Sequence, residues 1–171
     1  VRALDRRGLL AGAAVTGVNA PGPVTGSCLC GAVRFRATLP TKWVAHCHCT
    51  YCQRAHAAPL VTWVGFESSR FALEPTSAAP TWYASSPGAR RAHCPTCGTP
   101  MFFESTRWPG EMHVARTLIA GPLDREPSVH VFYETHVPWL DVRDELPKKT
   151  SQAMGIGTSD GATGQGSGSD A

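Results

Sequence analysis

Seven cysteines in three closely spaced groups are the residues of this sequence whose types and spacing can do chemistry. The middle group lies in the stretch HCHCTYC, residues 46–52, and two histidines accompany it. The groups are Cys28 and Cys30; Cys47, Cys49 and Cys52; and Cys94 and Cys97. Cysteines this close seldom bridge one another, but they bind a single metal ion well. The spacing therefore favours zinc, with disulfides and a dithiol redox pair as the alternatives.

Composition limits the kinds of protein that this chain can be. The sequence has 171 residues and a net charge of +3, without the run of basic residues that would indicate nucleic-acid binding. It contains no stretch of about eighteen consecutive apolar residues, so we expect no transmembrane helix and no membrane partner. The number of cysteines is odd, which argues against a framework built only from disulfides.

Both ends of the chain differ from its middle. Residues 1–24 predict a leader in which two arginines precede a short apolar run, the outline of a twin-arginine export signal. An unstructured leader is the alternative, and we expect a cytoplasmic protein with export as the second hypothesis. Residues 149–171 are rich in Gly and Ser and predict a flexible tail. One folded zinc domain is then expected at 25–148.

Short alternating or β-branched segments fill the middle of the chain. They predict strands at 32–39, 60–66, 81–85, 100–105, 111–119 and 128–135, separated by Pro and Gly. The one predicted helix is short and lies near Tyr51–Ala58. We therefore expect an all-β fold, mainly antiparallel, in which bound metal replaces part of a small core.

The two outer cysteine pairs suit one closed metal site. Cys28 and Cys30 would share one face of a strand, because side chains at i and i+2 point the same way. The stretch from Cys94 to Gly98 is typical of a zinc knuckle, whose tight turn uses the conformational freedom of glycine. Together the pairs offer four thiolates, the ligand set of a structural zinc. The spacing alone also permits other partitions of the cysteines.

Cys47, Cys49 and Cys52 then remain, and three protein ligands with one open position are typical of a catalytic zinc. The alternative is that His46 or His48 completes this site and makes it inert, although His48 is expected to point away from the ion. Zn²⁺ with three thiolates carries a charge of about −1 and activates water poorly. Such a site favours a fourth sulfur, and a thiol bound there loses its proton at neutral pH. We therefore predict a site that binds an external thiol.

The motifs TGSCLCGAVRF, CHCTYCQRA, HCPTCGTPMFF and HVFYETHVPWLDVRDELP occur in this order, from about Thr25 to Lys148. They resemble the glutathione-dependent formaldehyde-activating enzyme family, which includes the centromere protein V domain. The resemblance implies a β-tent fold with two zinc ions and the founding activity of the family, addition of glutathione to formaldehyde to give S-(hydroxymethyl)glutathione. It implies a structural zinc on Cys28, Cys30, Cys94 and Cys97 and a catalytic zinc on Cys47, Cys49 and Cys52.

These observations predict a zinc-dependent carbon–sulfur lyase that adds a glutathione-like thiol to a small aldehyde. His48 and His56 are the candidate catalytic residues, as proton donors to the alkoxide. Arg54 is the first candidate for binding a substrate carboxylate, followed by Arg34 and Lys42. The predicted partners are a small thiol and a small aldehyde, and the sequence does not predict the oligomeric state.

The sequence also allows two other functions. The domain is alternatively a non-catalytic, zinc-stabilised module that binds a thiol or a protein partner. The third hypothesis is a thiol–disulfide function, in which Cys94 and Cys97 are reactive. Among the remaining residues, Trp139 is expected to pack against the β core and Asp141 to hold a turn. Four aromatic residues are expected in the core or in a cavity wall, with no choice between the two: Trp63, Phe102, Phe103 and Phe132.

Overall fold

Eleven short strands and one α-helix are found in residues 22–156, the part of the chain that the computed structural model describes. The strands are β1 (Pro23–Ser27), β2 (Arg34–Thr38), β3 (Trp43–Cys47), β4 (Val61–Glu67), β5 (Phe71–Leu73), β6 (Thr81–Ser86), β7 (Ala89–His93), β8 (Pro100–Ser105), β9 (Glu111–Ala115), β10 (His130–Val131) and β11 (Lys148–Lys149). Helix α1 (Thr50–His56) follows β3, and short 3₁₀ helices occupy Ser68–Arg70, Arg116–Leu118, Tyr133–Thr135 and Gln152–Met154.

Parts of the predicted ends lie outside the described residues. These parts are residues 1–21 of the predicted leader and residues 157–171 of the predicted tail. The first residues of the predicted tail do have a described structure, since Lys149 ends β11 and the last 3₁₀ helix falls within the tail. Within residues 22–156, no helix has both the length and the apolar character that crossing a membrane requires.

The strands form two sheets. β1, β2 and β5 form a three-stranded antiparallel sheet. The other eight strands form one sheet in the order β11-β10-β3-β4-β9-β8-β7-β6. This sheet is antiparallel except at β10, which pairs in parallel with both β3 and β11. The prediction of a mainly antiparallel β fold with one short helix is confirmed.

Side chains from both sheets form a shared core. Phe35 of the small sheet packs edge-on against Phe102 of the large sheet, with ring centroids 5.4 Å apart. Burying a side chain of this size contributes about 1.5–3 kcal/mol. The fully buried residues around this pair are Val33, Val44, Val64, Phe66, Met101 and Val114. The core therefore holds the two sheets together and fixes the strands that carry the candidate site.

One face of the large sheet is the floor of the candidate site. The pairing registers place Trp43 opposite Gly65, Gly65 opposite His113, His113 opposite Phe103, and Phe103 opposite Arg91. Because paired residues of a sheet share a face, these positions form one row across β3, β4, β9, β8 and β7. Gly65 leaves room in the row, since a Cβ atom there would collide with the indole ring of Trp43.

Gly65→Ala is predicted to lower the free energy of unfolding by about 1–3 kcal/mol, because the added methyl group must displace the rigid indole of Trp43. Urea denaturation measures the change. Gly22→Ala is the matched control, since a Cβ atom at Gly22 meets no atom within 4 Å and both substitutions stiffen the unfolded chain alike. Equal stability of the two variants would contradict this account of the floor.

Candidate metal centres and their cavity

The outer cysteines meet in a group that we call the four-sulfur cluster, formed by Cys28, Cys30, Cys94 and Cys97. Their Sγ atoms lie within 4.8 Å of one another. The Sγ atom of Cys30 is 3.6 Å from that of Cys28 and 3.8 Å from that of Cys94. A tetrahedral ion bound at about 2.3 Å from each ligand separates its sulfurs by roughly this distance. The sulfur positions therefore suit a closed, four-coordinate metal site.

Two turns bring the four-sulfur cluster together. Cys28 and Cys30 lie after the end of β1 and not within a strand, so the expectation that they share a strand face is wrong. Instead, the chain turns back at this point, and Gly31 takes a φ of 75°. The other two cysteines lie in the turn between β7 and β8, where Gly98 takes a φ of 71°. Both glycines occupy the left-handed region that other residues rarely adopt.

A hydrogen bond prepares one thiol of this cluster for a metal. The hydroxyl oxygen of Thr99 lies 3.0 Å from the Sγ atom of Cys97. Hydrogen bonds from the side chain and the backbone of Thr99 lower the pKa of Cys97 to about 5. Cys97 is therefore a thiolate at neutral pH, the form in which cysteine binds metal.

The middle cysteines form the three-sulfur cluster, Cys47, Cys49 and Cys52, whose Sγ atoms also lie within 4.8 Å of one another. Cys47 ends β3, and Cys49 is the N-cap of α1, where its Sγ atom accepts a hydrogen bond from the backbone N–H of Cys52 at 3.3 Å. Within residues 22–156, no histidine or carboxylate joins this group. His46 and His48 are therefore not in position to complete it.

The surroundings of the three-sulfur cluster favour a thiolate at Cys52. The Sγ atom of Cys47 lies 3.6 Å from that of Cys52, and Cys52 Sγ accepts hydrogen bonds from Trp63 Nε1–H at 3.4 Å and from Arg91 Nη2–H at 3.7 Å. Hydrogen bonds from Cys47 and Cys49, and then the charge of Arg91, hold the pKa of Cys52 well below its ordinary value despite burial. Cys52 can therefore carry a negative charge, offset by Arg91, before any metal binds.

A cavity of about 630 Å³ opens over the three-sulfur cluster. A cavity of this size suits a small-molecule ligand. Its wall includes all three cysteines of the cluster and the Trp43, His113, Phe103 and Arg91 side chains of the sheet floor. Other aromatic residues line it as well, namely Tyr51, Trp63, Trp108 and Phe132. Three residues near the start of the predicted tail also line it: Ser151, Met154 and Ile156.

The three residues predicted for catalysis and substrate binding do not line this cavity. His48 is buried behind its wall, where its Nε2 atom lies 2.8 Å from the Nδ1 atom of His130. His56 packs edge-on against Trp63 and lines a separate cavity of about 160 Å³. Arg54 is exposed in the last turn of α1. The structure thus places these residues around the three-sulfur cluster but outside its cavity.

The two other cations named from the sequence have partners of their own. The guanidinium of Arg34 donates to two backbone carbonyls. The Nζ atom of Lys42 lies 2.9 Å from a carboxylate oxygen of Glu111. Burial raises the pKa of Glu111, but hydrogen bonds from His113, Lys42 and Trp43 outweigh it and lower the pKa to about 2. Glu111 is therefore ionised at every physiological pH and keeps Lys42 paired.

Arg91 is a buried cation at the cavity that the sequence analysis missed. It is only 6% exposed, its guanidinium carbon lies 4.6 Å from the ring centre of Phe103, and its Nη1 atom has no hydrogen-bond partner. The sequence feature that could have revealed Arg91 is the Pro87–Gly88 turn, which joins β6 and β7 as a hairpin and makes ARRAH a strand. Alternation along that strand turns Arg91 inward and leaves Arg90 exposed.

Two neighbouring aromatic residues of β8 divide between the core and the cavity wall, a choice that the sequence left open. Phe102 is 1% exposed in the core, whereas Phe103 lines the cavity.

Trp139 is 72% exposed, so the expectation that it packs against the β core is wrong. Asp141 is also exposed, and it accepts a hydrogen bond from Arg143 at 2.6 Å.

The fold and the two clusters define a mainly β protein that is able to hold metal ions through cysteine. The sequence model described as glutathione-dependent formaldehyde-activating enzyme matches residues 23–135, more than half of the chain. The chain therefore belongs to the glutathione-dependent formaldehyde-activating enzyme family, and the resemblance expected from its motifs is confirmed.

Two similar proteins accompany this match. A curated protein of Halomonas elongata, provisionally named a glutathione-dependent formaldehyde-activating enzyme, is 27% identical over 125 residues, which cover 68% of this chain and 79% of that protein. A crystal structure of a Rhodobacter sphaeroides protein is 20% identical with a TM-score of 0.48, and the match covers 72% of this chain and 98% of that one.

Arg91→Gln is predicted to raise the pKa of Cys52 in the metal-free protein, because the substitution removes the positive charge beside the thiolate. Titration of the ultraviolet thiolate absorbance against pH measures the change. Arg90→Gln is the matched control, since the neighbouring side chain pairs with Glu104 on the exposed face of β7. The account fails if Arg91→Gln and Arg90→Gln give the same titration curve.

Proposed function

We propose that this protein is a zinc-dependent carbon–sulfur lyase that adds a small thiol such as glutathione to a small aldehyde such as formaldehyde. The observation that carries the proposal is the three-sulfur cluster, which lines a ligand-sized cavity and has no fourth protein donor within residues 22–156. Membership of the formaldehyde-activating enzyme family supports the same chemistry. The product would be S-(hydroxymethyl)glutathione or a close analogue.

Zinc fits the donor atoms of both clusters. All seven cysteines are free thiols, and thiolates are ligands that zinc prefers. We assign a structural zinc to the four-sulfur cluster, where no ligand position is left over, and a catalytic zinc to the three-sulfur cluster. Zinc in the latter supplies the positive charge that keeps a bound substrate thiol deprotonated at neutral pH.

Residues of the chain would shape the remaining chemistry. Trp63, Phe103 and Phe132 line the cavity and limit the access of water to the sulfurs. The substrate thiolate attacks the carbonyl carbon of the aldehyde, so that a C–S bond forms while the C=O π pair moves to oxygen. The resulting alkoxide then takes up one proton, which replaces the proton that the thiol lost on binding.

Two arginines are proposed for the negative charges of this reaction. Arg91 is permanently charged, and it lies next to Cys52 with its Nη1 atom unpaired. It would offset the charge of the three thiolates and of the substrate sulfur. Arg54 follows Cys52 by two residues on the same short helix and is exposed. From this position it would bind a carboxylate of a thiol that extends beyond the cavity.

Proton delivery to the alkoxide is proposed for His48 or His56, as the sequence predicts. Both side chains lie behind the cavity wall, so either would act through a water molecule or a neighbouring side chain. His56 packs edge-on against Trp63, which donates to Cys52 and cannot relay a proton, so His56 would act through a water molecule. Burial lowers the pKa of both histidines, that of His48 to about 4. Each is therefore neutral at physiological pH, so it would pass its N–H proton to the alkoxide as its other ring nitrogen takes up a proton from water.

The two clusters are predicted to differ in what they contribute to stability. Cys94→Ser and Cys49→Ser should each lower the zinc content by one ion per chain, measured by native mass spectrometry. Cys94 is fully buried against the core, whereas Cys49 lines the cavity. Cys94→Ser should therefore lower the free energy of unfolding by about 2–5 kcal/mol, as loss of a native disulfide does, and Cys49→Ser should lower it much less. Equal losses would contradict the assignment of structural and catalytic ions.

Formation of the thiol–aldehyde adduct tests the proposed activity directly. Exchange NMR on glutathione and formaldehyde should show faster interconversion with the zinc-loaded protein than without it, and Cys49→Ser should abolish the difference. His48→Gln and His56→Gln separate the two proton donors, since the true donor should cost roughly 10²–10⁴-fold in rate.

Arg90→Gln is the control for this measurement and should keep the wild-type rate, because Arg90 points away from the cavity. No acceleration by the wild type over the uncatalysed reaction overturns the proposed enzyme. Saturable thiol binding without acceleration would instead favour the non-catalytic thiol-binding module.

A further inference from the structure

A third group of potential metal ligands lies on the other side of β3. His46, His130 and Asp144 each offer one ligand atom, and these three atoms lie within 4.8 Å of one another. Successive side chains of a strand point to opposite faces, and Cys47 lines the cavity. The group around His46 therefore faces away from that cavity, and none of its three residues has a part in the proposed reaction.

The parallel pairing of β10 with β3 sets this group in place. It puts His130 directly opposite His46, with the ring centroids 4.9 Å apart and the ring planes 29° from parallel. His130 is fully buried, His46 is half-buried and Asp144 is exposed. An ion from solvent can therefore reach the group from the side of Asp144, while the sheet holds the two imidazoles in register.

Both imidazoles are already oriented as metal ligands usually are. A ligating histidine normally bonds through its second ring nitrogen to a polar neighbour, which fixes the ring. The Nδ1 atom of His46 lies 2.8 Å from the Thr62 hydroxyl, and the Nδ1 atom of His130 lies 2.8 Å from His48 Nε2. In each ring the Nε2 atom is then the one left for an ion.

The distance between two of the three ligands already suits an ion. The Nε2 atom of His130 lies 2.9 and 3.0 Å from the two carboxylate oxygens of Asp144. Ligand atoms about 3 Å apart can share one ion bound at about 2.1 Å from each. In the metal-free structure a proton on His130 Nε2 occupies this place, as a hydrogen bond to Asp144.

His48 allows that proton to move. While His130 Nε2 donates to Asp144, the Nε2 atom of His48 carries the proton between the two rings, but its Nδ1 atom is buried and has no hydrogen-bond partner that would hold this tautomer. The Nε2 atom of His48 can therefore act as donor or as acceptor towards His130. When an ion displaces the proton of His130 Nε2, the proton between the rings can pass to His130 Nδ1 while His48 takes up a proton at its Nδ1 atom, so both histidines stay neutral.

We propose that His46, His130 and Asp144 form a third metal site, for a divalent transition-metal ion such as Zn²⁺, Co²⁺ or Ni²⁺. Two imidazoles and one carboxylate suit such ions, whereas Ca²⁺ and Mg²⁺ take mainly oxygen ligands. The ion would tie the segment between β10 and β11, which carries Asp144, to β3 and β10. It binds independently of the two cysteine clusters, because it shares no ligand with them.

Cobalt(II) titration of the metal-free full-length protein tests this site. Thiolate-to-cobalt charge-transfer absorbance should rise through two equivalents, one for each cysteine cluster. Equilibrium dialysis should show a third bound ion that adds no charge-transfer absorbance, because its ligands are nitrogen and oxygen. Asp144→Asn should weaken binding of the third ion at least about tenfold, because losing even a group that only supports a ligand costs that much affinity. Asp141→Asn, an exposed carboxylate on the same segment, should leave all three ions bound.

Thr62→Val tests the same site if Asp144→Asn does not fold. This near-isosteric change removes the hydroxyl that orients His46, and it should weaken only the third ion, by about 10–100-fold. A wild-type protein that binds two ions and no third overturns the proposal. So does a third ion whose affinity is the same in Asp144→Asn, or in Thr62→Val, as in the wild type.

Discussion

Cysteine sulfurs that converge in two groups, each able to hold a metal ion, are the feature on which the rest of this structure depends. The four-sulfur cluster joins two turns whose cysteines lie 64 residues apart in the chain, next to the buried core. One ion there would close a long loop and brace both sheets. The three-sulfur cluster spans only the end of β3 and the start of α1. It cross-links little, which leaves it free to exchange a ligand, and it is the cluster that lines the cavity.

Charge balance explains how the sulfurs of the three-sulfur cluster can lie against the aromatic wall of the cavity. Thiolates in such a place repel one another, and burial raises the cost of ionising them. Arg91 and the indole N–H of Trp63 both donate to Cys52 and offset part of that cost. Both residues belong to the face of the large sheet that forms the cavity floor. The sheet therefore does more than carry the cysteines, because it also sets the charge that they can hold.

Local spacing made the cysteine clusters predictable from the sequence, since members of each motif are close along the chain and share one chemistry. Arg91 was missed because the alternation of β7 is hidden in ARRAH, where two arginines adjoin. The pairing of His46 with His130 depends on a register between segments 84 residues apart, which no local pattern encodes. Trp139 was expected in the core from its hydrophobicity alone, yet it is exposed on the connection between β10 and β11.

X-ray absorption at the zinc edge tests the division of sulfurs between a closed and an open ion most directly. With zinc bound at the two cysteine clusters alone, the account predicts a mean of about three and a half sulfurs per zinc, which rises to about four when glutathione adds its own sulfur. A mean of four before any thiol is present, or a mean that glutathione does not change, would contradict the open site and the chemistry built upon it.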